Sequence, residues 1–121
     1  GFDLEQRAQN GNLSFILLNQ APTCNYHCKR CFRGNYDNSY YQAEKALKTE
    51  EYLGILSEAK NNDILCLEVS GHGEPLVSKS LDKIVVEANN LGLTTTIITN
   101  GSLLSKERLR SCAQNYLKSM G

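Results

Sequence analysis

A chain of 121 residues, 40% of them hydrophobic and 21% charged, has the composition of one soluble globular domain, which excludes a disordered or fibrous segment. Lys plus Arg and Asp plus Glu number 13 each, so the overall charge does not indicate nucleic acid or an anionic membrane as an obligatory partner. No stretch approaches the roughly 20 consecutive apolar residues of a membrane span, and the opening run GFDLEQRAQN lacks the basic and apolar regions of a signal peptide, so a cytoplasmic protein is expected.

In chain order, residues 13–19 form a nearly continuous apolar run, which predicts a first strand buried on both faces. Residues 20–48 show no sustained period and predict a long loop, with room for a short helix around 42–47; loops of that length usually carry function. Tyr36, Tyr40 and Tyr41 fall in it and read first as packing under the loop, with shielding of a site or a substrate contact as the alternative. Thr49, followed by Glu50 and Glu51, predicts a helix start capped by the Thr hydroxyl, and Tyr52, Leu53, Leu56 and Ala59 supply its inward stripe. Residues 64–70 predict a second strand, broken by Gly71-His72-Gly73-Glu74-Pro75.

Ser80 opens a second helix with Leu81, Ile84, Val85, Ala88 and Leu91 at spacings of three and four, ending near Gly92. Residues 93–99, rich in β-branched side chains, predict a third strand ending at Asn100-Gly101. Ser105 and Glu107 start a third helix carrying Leu109, Cys112, Ala113, Tyr116 and Leu117 inward. Strands alternating with helices in this way predict an α/β fold with a parallel sheet built from three βα units.

Five cysteines are an odd number, and Cys24, Cys28 and Cys31 fall within eight residues directly after the first strand, a layout of a metal site rather than of a disulfide framework. Thiolates this closely spaced repel one another unless a cation neutralises them, and such ligands favour zinc or an iron-sulfur cluster. A cluster of four irons held by three cysteines leaves one iron open to a further ligand. Cys66 and Cys112 read as small buried hydrophobes, not as a fourth ligand. His27 offers the alternative of a zinc site made with the three cysteines, and hence a non-catalytic binding module. An electron-transfer iron-sulfur protein lacks support, since no fourth cysteine lies nearby.

The second motif, Gly-x-Gly-Glu-Pro, falls where ligands bind in parallel α/β folds, at the carboxyl ends of the strands. With Cys-Asn-x-x-Cys-x-x-Cys in the first loop and Thr99-Asn100-Gly101 after the third strand, the chain resembles the radical S-adenosylmethionine (radical SAM) superfamily. The resemblance implies Cys24, Cys28 and Cys31 as ligands of a 4Fe-4S cluster. It also implies S-adenosylmethionine (SAM) contacts from Gly71, Gly73, Glu74, Thr99 and Asn100, the Gly-Glu turn receiving the methionyl amino group; read from the residues alone, Thr99-Asn100-Gly101 is equally a structural turn. The activity implied is reductive cleavage of SAM to a 5′-deoxyadenosyl radical that modifies a substrate. This requires a reductant, for example an electron-donor protein. Arg30 stands where many members have an aromatic residue, and His72 where many have glycine; His72 reads first as a local variation and second as a substrate contact.

The fold implied resembles the first half of a partial (βα)6 TIM-like barrel. Residues 1–121 are then expected to be the N-terminal portion of a radical SAM core domain, a fragment whose activity alone is not expected and whose open third-strand edge favours association. The motif style resembles members that modify peptides or proteins.

Overall fold

The computed structural model describes residues 4–21, 23–31, 46–70 and 72–111. The three apolar runs become β1 (Phe15–Asn19), β2 (Cys66–Ser70) and β3 (Thr94–Ile97), each shorter than the run that predicts it. They form one parallel sheet in the order β1-β2-β3, with Phe15 opposite Cys66 and Cys66 opposite Thr94. A short helix not anticipated from periodicity, α1 (Leu4–Gln9), precedes β1. Arg7 of α1 holds it down, donating to the Ser14 hydroxyl at 2.9 Å and to the carbonyls of Leu13 and Asp63.

The crossovers are α2 (Thr49–Asn61) and α3 (Leu81–Asn90). Their stripes face one side of the sheet: Tyr52, Leu56 and Ala59 from α2 and Leu81, Ile84, Val85 and Ala88 from α3 close over Leu18, Leu67 and Val69. Fully burying a side chain such as Leu56, Leu67 or Ile84 stabilises the fold by about 1.5–3 kcal/mol each.

Because both helices take the same side, β1 is not covered on both faces as expected. Ile16 and Leu18 point into the core, while Phe15 and Leu17 on the other face remain 50% and 51% exposed. Cys66 shares that open face and is half-buried rather than a core residue.

Helix starts differ from expectation in one respect. Lys48, not Thr49, occupies the cap of α2, and Glu51 reaches back to the Lys48 N–H at 2.6 Å. The Thr49 hydroxyl instead pairs with that of Ser80 at 2.7 Å, joining the N-termini of α2 and α3. Gly92 ends α3 with φ +76°, the left-handed conformation expected of a helix-terminating glycine. A further helix, α4, begins at residue 106 and covers the described residues to 111, and the Ser105 hydroxyl accepts from the Arg108 N–H at 3.1 Å as its cap. Leu109 is exposed, not inward; Arg108 meets the body of the protein instead, donating to Leu76 O at 3.0 Å and pairing with Asp82 at 3.1 Å. The expected short helix around 42–47 and the inward residues Cys112, Ala113, Tyr116 and Leu117 lie wholly or mostly outside the described residues, as do Tyr36, Tyr40 and Tyr41.

Tyr52 joins the core to the start of the cysteine loop, its hydroxyl donating to Gln20 O at 3.2 Å. Burial pushes its pKa above the ordinary 10.0, the Glu51 charge adds to this, and a backbone hydrogen bond with Leu47 opposes it. An acid whose folded pKa is raised keeps its full contribution below the unfolded value and loses it as pH climbs through the folded one. Stability is therefore expected to decline from about pH 10 upwards, and Tyr52→Phe to flatten that decline, as read by urea denaturation at stepped pH.

Candidate metal centre

Parallel strands put all their carboxyl ends along one edge, and from that edge leave the three segments expected to carry function: residues 24–31 after β1, 72–74 after β2 and 99–102 after β3. The segments that carry the three cysteines, Gly73, Glu74, Thr99 and Asn100 thus all depart from the same end of the sheet. Gly71 lies outside the described residues.

Gly73 is glycine for want of space. A Cβ there would run into the main-chain carbonyl oxygens of Ala21 and Thr23 and lie 2.9 Å from the Ala21 carbonyl carbon. The turn after β2 therefore packs backbone to backbone against the segment that enters the cysteine loop. The next N–H, of Glu74, donates to Thr23 O at 2.9 Å and locks the same contact.

The Glu74 side chain is buried, 3% exposed, and turned into the protein. One carboxylate oxygen accepts from the Leu76 N–H at 3.1 Å and from the Thr99 hydroxyl; the other accepts from the Asn100 N–H at 2.8 Å. Three of the roughly four acceptor positions of a carboxylate are thereby filled. Glu74 thus bridges the ends of β2 and β3, and Thr99 and Asn100 owe their positions to it. Gly101 follows with φ +74°, and its N–H donates to the Thr99 hydroxyl at 3.0 Å. His72 sits half-buried at the start of the turn, its N–H donating to the Asn19 side chain at 3.1 Å.

Cys24 and Cys31 are half-buried and Cys28 exposed, and all are free thiols. The Tyr26 N–H points at the Cys24 sulfur at 3.5 Å, and the Cys31 N–H closes a turn onto Cys28 O at 3.1 Å. Among the described residues, no three His, Cys, Asp or Glu side chains are gathered into a metal-sized cage. What the loop offers is the donor set: three free thiols within eight residues, on one loop whose entry is fixed by Gly73 and Glu74. Cys66 opens β2 at the far end of the strand, four residues or about 13 Å from the edge where the loop departs, too far to serve as a fourth ligand. His27, Lys29 and Arg30 are exposed.

Sequence reasoning quotes Asn25 within the cysteine motif without assigning it a role, and passes over Ser102. Their side chains meet at 2.8 Å, and Asn100 donates to Asn25 at 3.0 Å. A polar residue between two site positions is the only signal the sequence holds for Asn25, and none marks Ser102.

The family model described as the Radical SAM superfamily matches residues 18–121. Among curated proteins the chain is 35% identical over 104 residues to one named GTPase Obg from Brachyspira hyodysenteriae, a match covering 84% of this chain and 15% of that protein. It is 39% identical over 72 residues to a PqqA peptide cyclase from Rhizobium meliloti, covering 60% of this chain and 19% of the cyclase. The chain thus spans less than a fifth of each of these relatives. Among solved structures, BtrN in complex with AdoMet and 2-DOIA superposes with a TM-score of 0.73 at 22% identity, over 85% of this chain and 42% of that one, a likeness of fold. The three βα units therefore match part of a larger barrel-type chain, as the resemblance implies.

Proposed function

The chain belongs to the radical SAM superfamily, and on that premise we propose that Cys24, Cys28 and Cys31 ligate a 4Fe-4S cluster beside a SAM site on the same edge of the sheet. The observation that carries this reading is that a loop with three free cysteines, a glycine with no room for a side chain and a buried, hydrogen-bonded carboxylate all follow the carboxyl ends of the strands in one sheet. The donor chemistry fits: soft thiolates are the usual ligands of iron-sulfur clusters, and three of them would leave one iron of a 4Fe-4S cluster open to a further ligand. A 4Fe-4S cluster held by Cys24, Cys28 and Cys31 would supply the electron and an open iron for reductive cleavage of SAM, which would start radical chemistry on a substrate.

The chain's own residues have separate tasks. The thiols bind the iron. Gly73 and the main chain of Glu74, packed against the entry to the loop, would contact the methionyl end of SAM, and Gly71 is assigned the same contact by the resemblance. Glu74 orients Thr99 and Asn100, which contact the cofactor from the end of β3. A peptide is the substrate class we favour, because a PqqA peptide cyclase is among the curated relatives of this chain. Residues 1–121 would then be the N-terminal portion of a radical SAM core domain within a longer enzyme, reduced by an electron-donor protein. Free thiols suit the reducing cytoplasm, and among the described residues no helix is long and apolar enough to cross a membrane.

The test is anaerobic reconstitution with iron and sulfide, followed by electron paramagnetic resonance of the reduced protein with and without SAM. A 4Fe-4S signal that shifts on adding SAM and is lost in Cys28→Ala is the expected result. A well-folded protein that takes up only colourless zinc would sink the radical reading in favour of a metal-stapled module using His27.

A further inference from the structure

We propose that Asn25, Asn100 and Ser102 form a closed hydrogen-bonded ring that latches the cysteine loop to the end of β3 and fixes Cys24 before any metal is bound. The Asn25 side-chain amide donates to the Ser102 hydroxyl at 2.8 Å, that hydroxyl donates to Asn100 Oδ1 at 2.7 Å, and the Asn100 amide donates to Asn25 Oδ1 at 3.0 Å. Within the ring each side chain gives one bond and receives one.

The direction of the ring is set by the main chain. The Ser102 N–H donates to Asn100 Oδ1 at 2.9 Å, so the oxygen of that amide must face Ser102 and its NH2 must face Asn25. Asn25 must then present its oxygen to Asn100 and its NH2 to the Ser102 hydroxyl. The reversed arrangement would set two donors against each other at the main-chain contact. Asn100 is itself held through its own N–H by Glu74, at 2.8 Å, so the ring hangs from a buried group although its members are exposed. Bonds in a closed circuit polarise one another in the same sense, which strengthens each.

The ring acts on Cys24 because of where it grips. Thr23 is held from one side by the Glu74 N–H and the Gly73 contact, and Asn25 is held from the other by the ring. Cys24 is the residue between the two grips. Beyond it, among the described residues, no hydrogen bond ties residues 27–31 to another element; the Cys31 to Cys28 turn is local. Cys24 is therefore the preorganised thiol, and Cys28 and Cys31 are free to close around whatever it holds. Asn25, Asn100 and Ser102 are positioning residues in this scheme. Its value for a cluster rests on the reading above, whereas the latch belongs to the metal-free chain.

The test uses the full metal-free chain under anaerobic conditions, with iodoacetamide alkylation of each cysteine followed by mass spectrometry. Asn25→Ala and Ser102→Ala are each expected to speed labelling of Cys24 relative to Cys66 by about fivefold, the equivalent of one hydrogen bond. The double variant should be no faster than either single one, since both open the same ring, and Ser102→Thr, which keeps the hydroxyl, should label as the parent does. Cys28 labelling should not change. Equal Cys24 rates in parent and Asn25→Ala, or effects of the two substitutions that multiply, would overturn the latch. After reconstitution, the same two variants should lose iron to a chelator faster than the parent. A parent that takes up no cluster would defeat the cluster reading and leave the alkylation result to decide the latch alone.

Discussion

Gly73→Ala is expected to lower the stability of the folded chain by about 1–3 kcal/mol, the usual cost of forcing extra volume into a packed site, with the upper end applying because the obstacle is main chain. The added methyl would meet the carbonyl oxygens of Ala21 and Thr23, and neither can rotate away as a side chain can. The strain is relieved only by moving the turn or by moving the entry to the cysteine loop, and the second displaces Cys24. The denaturation midpoint in urea measures the first effect, and iron retained after reconstitution, expected to fall severalfold, measures the second. Gly54 is the control. It lies on the exposed side of α2, and a methyl group added there would have nothing within 4 Å, so Gly54→Ala should stabilise by roughly 0.5–1 kcal/mol through helix propensity. A Gly73→Ala protein as stable as its parent would mean that the backbone contact between the two turns gives way easily.

Glu74→Ala is expected to cost about 3 kcal/mol, because removing a buried acceptor leaves its donors unsatisfied at the full desolvation penalty. Leu76 N–H, the Thr99 hydroxyl and Asn100 N–H all lose their partner together. Glu74→Gln keeps the shape but replaces one oxygen by an NH2, so at least one of the three donors then faces another donor. Its cost should be smaller than that of alanine and clearly above zero. Glu74→Asp, one methylene shorter, cannot span both strand ends. Equilibrium denaturation ranks the three variants, and amide exchange at Asn100 reports where the damage falls. A Glu74→Ala protein within about 0.5 kcal/mol of its parent, the range of an ordinary surface change, would remove Glu74 from the role assigned to it.

Much of the fold is legible in the sequence because burial follows period. Leu81, Ile84, Val85 and Ala88 recur at helical spacing, and all four are buried in α3. The cysteine loop, the Gly73-Glu74 turn and the Thr99-Asn100 turn are each visible as departures from period at strand ends, and parallel pairing brings them to one edge. Other features depend on geometry that no local pattern carries. An apolar run such as residues 13–19 says that a strand is apolar, not which face is covered, and Phe15 and Leu17 lie on the side away from both helices. Thr49 looks like a cap, but Ser80, distant in the sequence, claims its hydroxyl. The partners of Asn25 stand 75 and 77 positions along the chain, beyond any motif window. The motif around Glu74 points to a ligand; its place in the sequence cannot reveal that the carboxylate turns inward.

The Glu74 bridge gives these strand ends a shared thermodynamic fate. One carboxylate accepts from both sides of the β2–β3 boundary, while its own N–H holds Thr23, so the bonded states of the two turns and of the loop entry favour one another. A molecule that binds more tightly to the held form of one raises the population of the held form of the other by no more than the coupling between them, and that coupling is reciprocal. On the proposed reading the traffic would run both ways: filling the cysteine loop would stiffen the turn after β3, and a ligand resting on Asn100 or Thr99 would tighten the hold on a metal at Cys24.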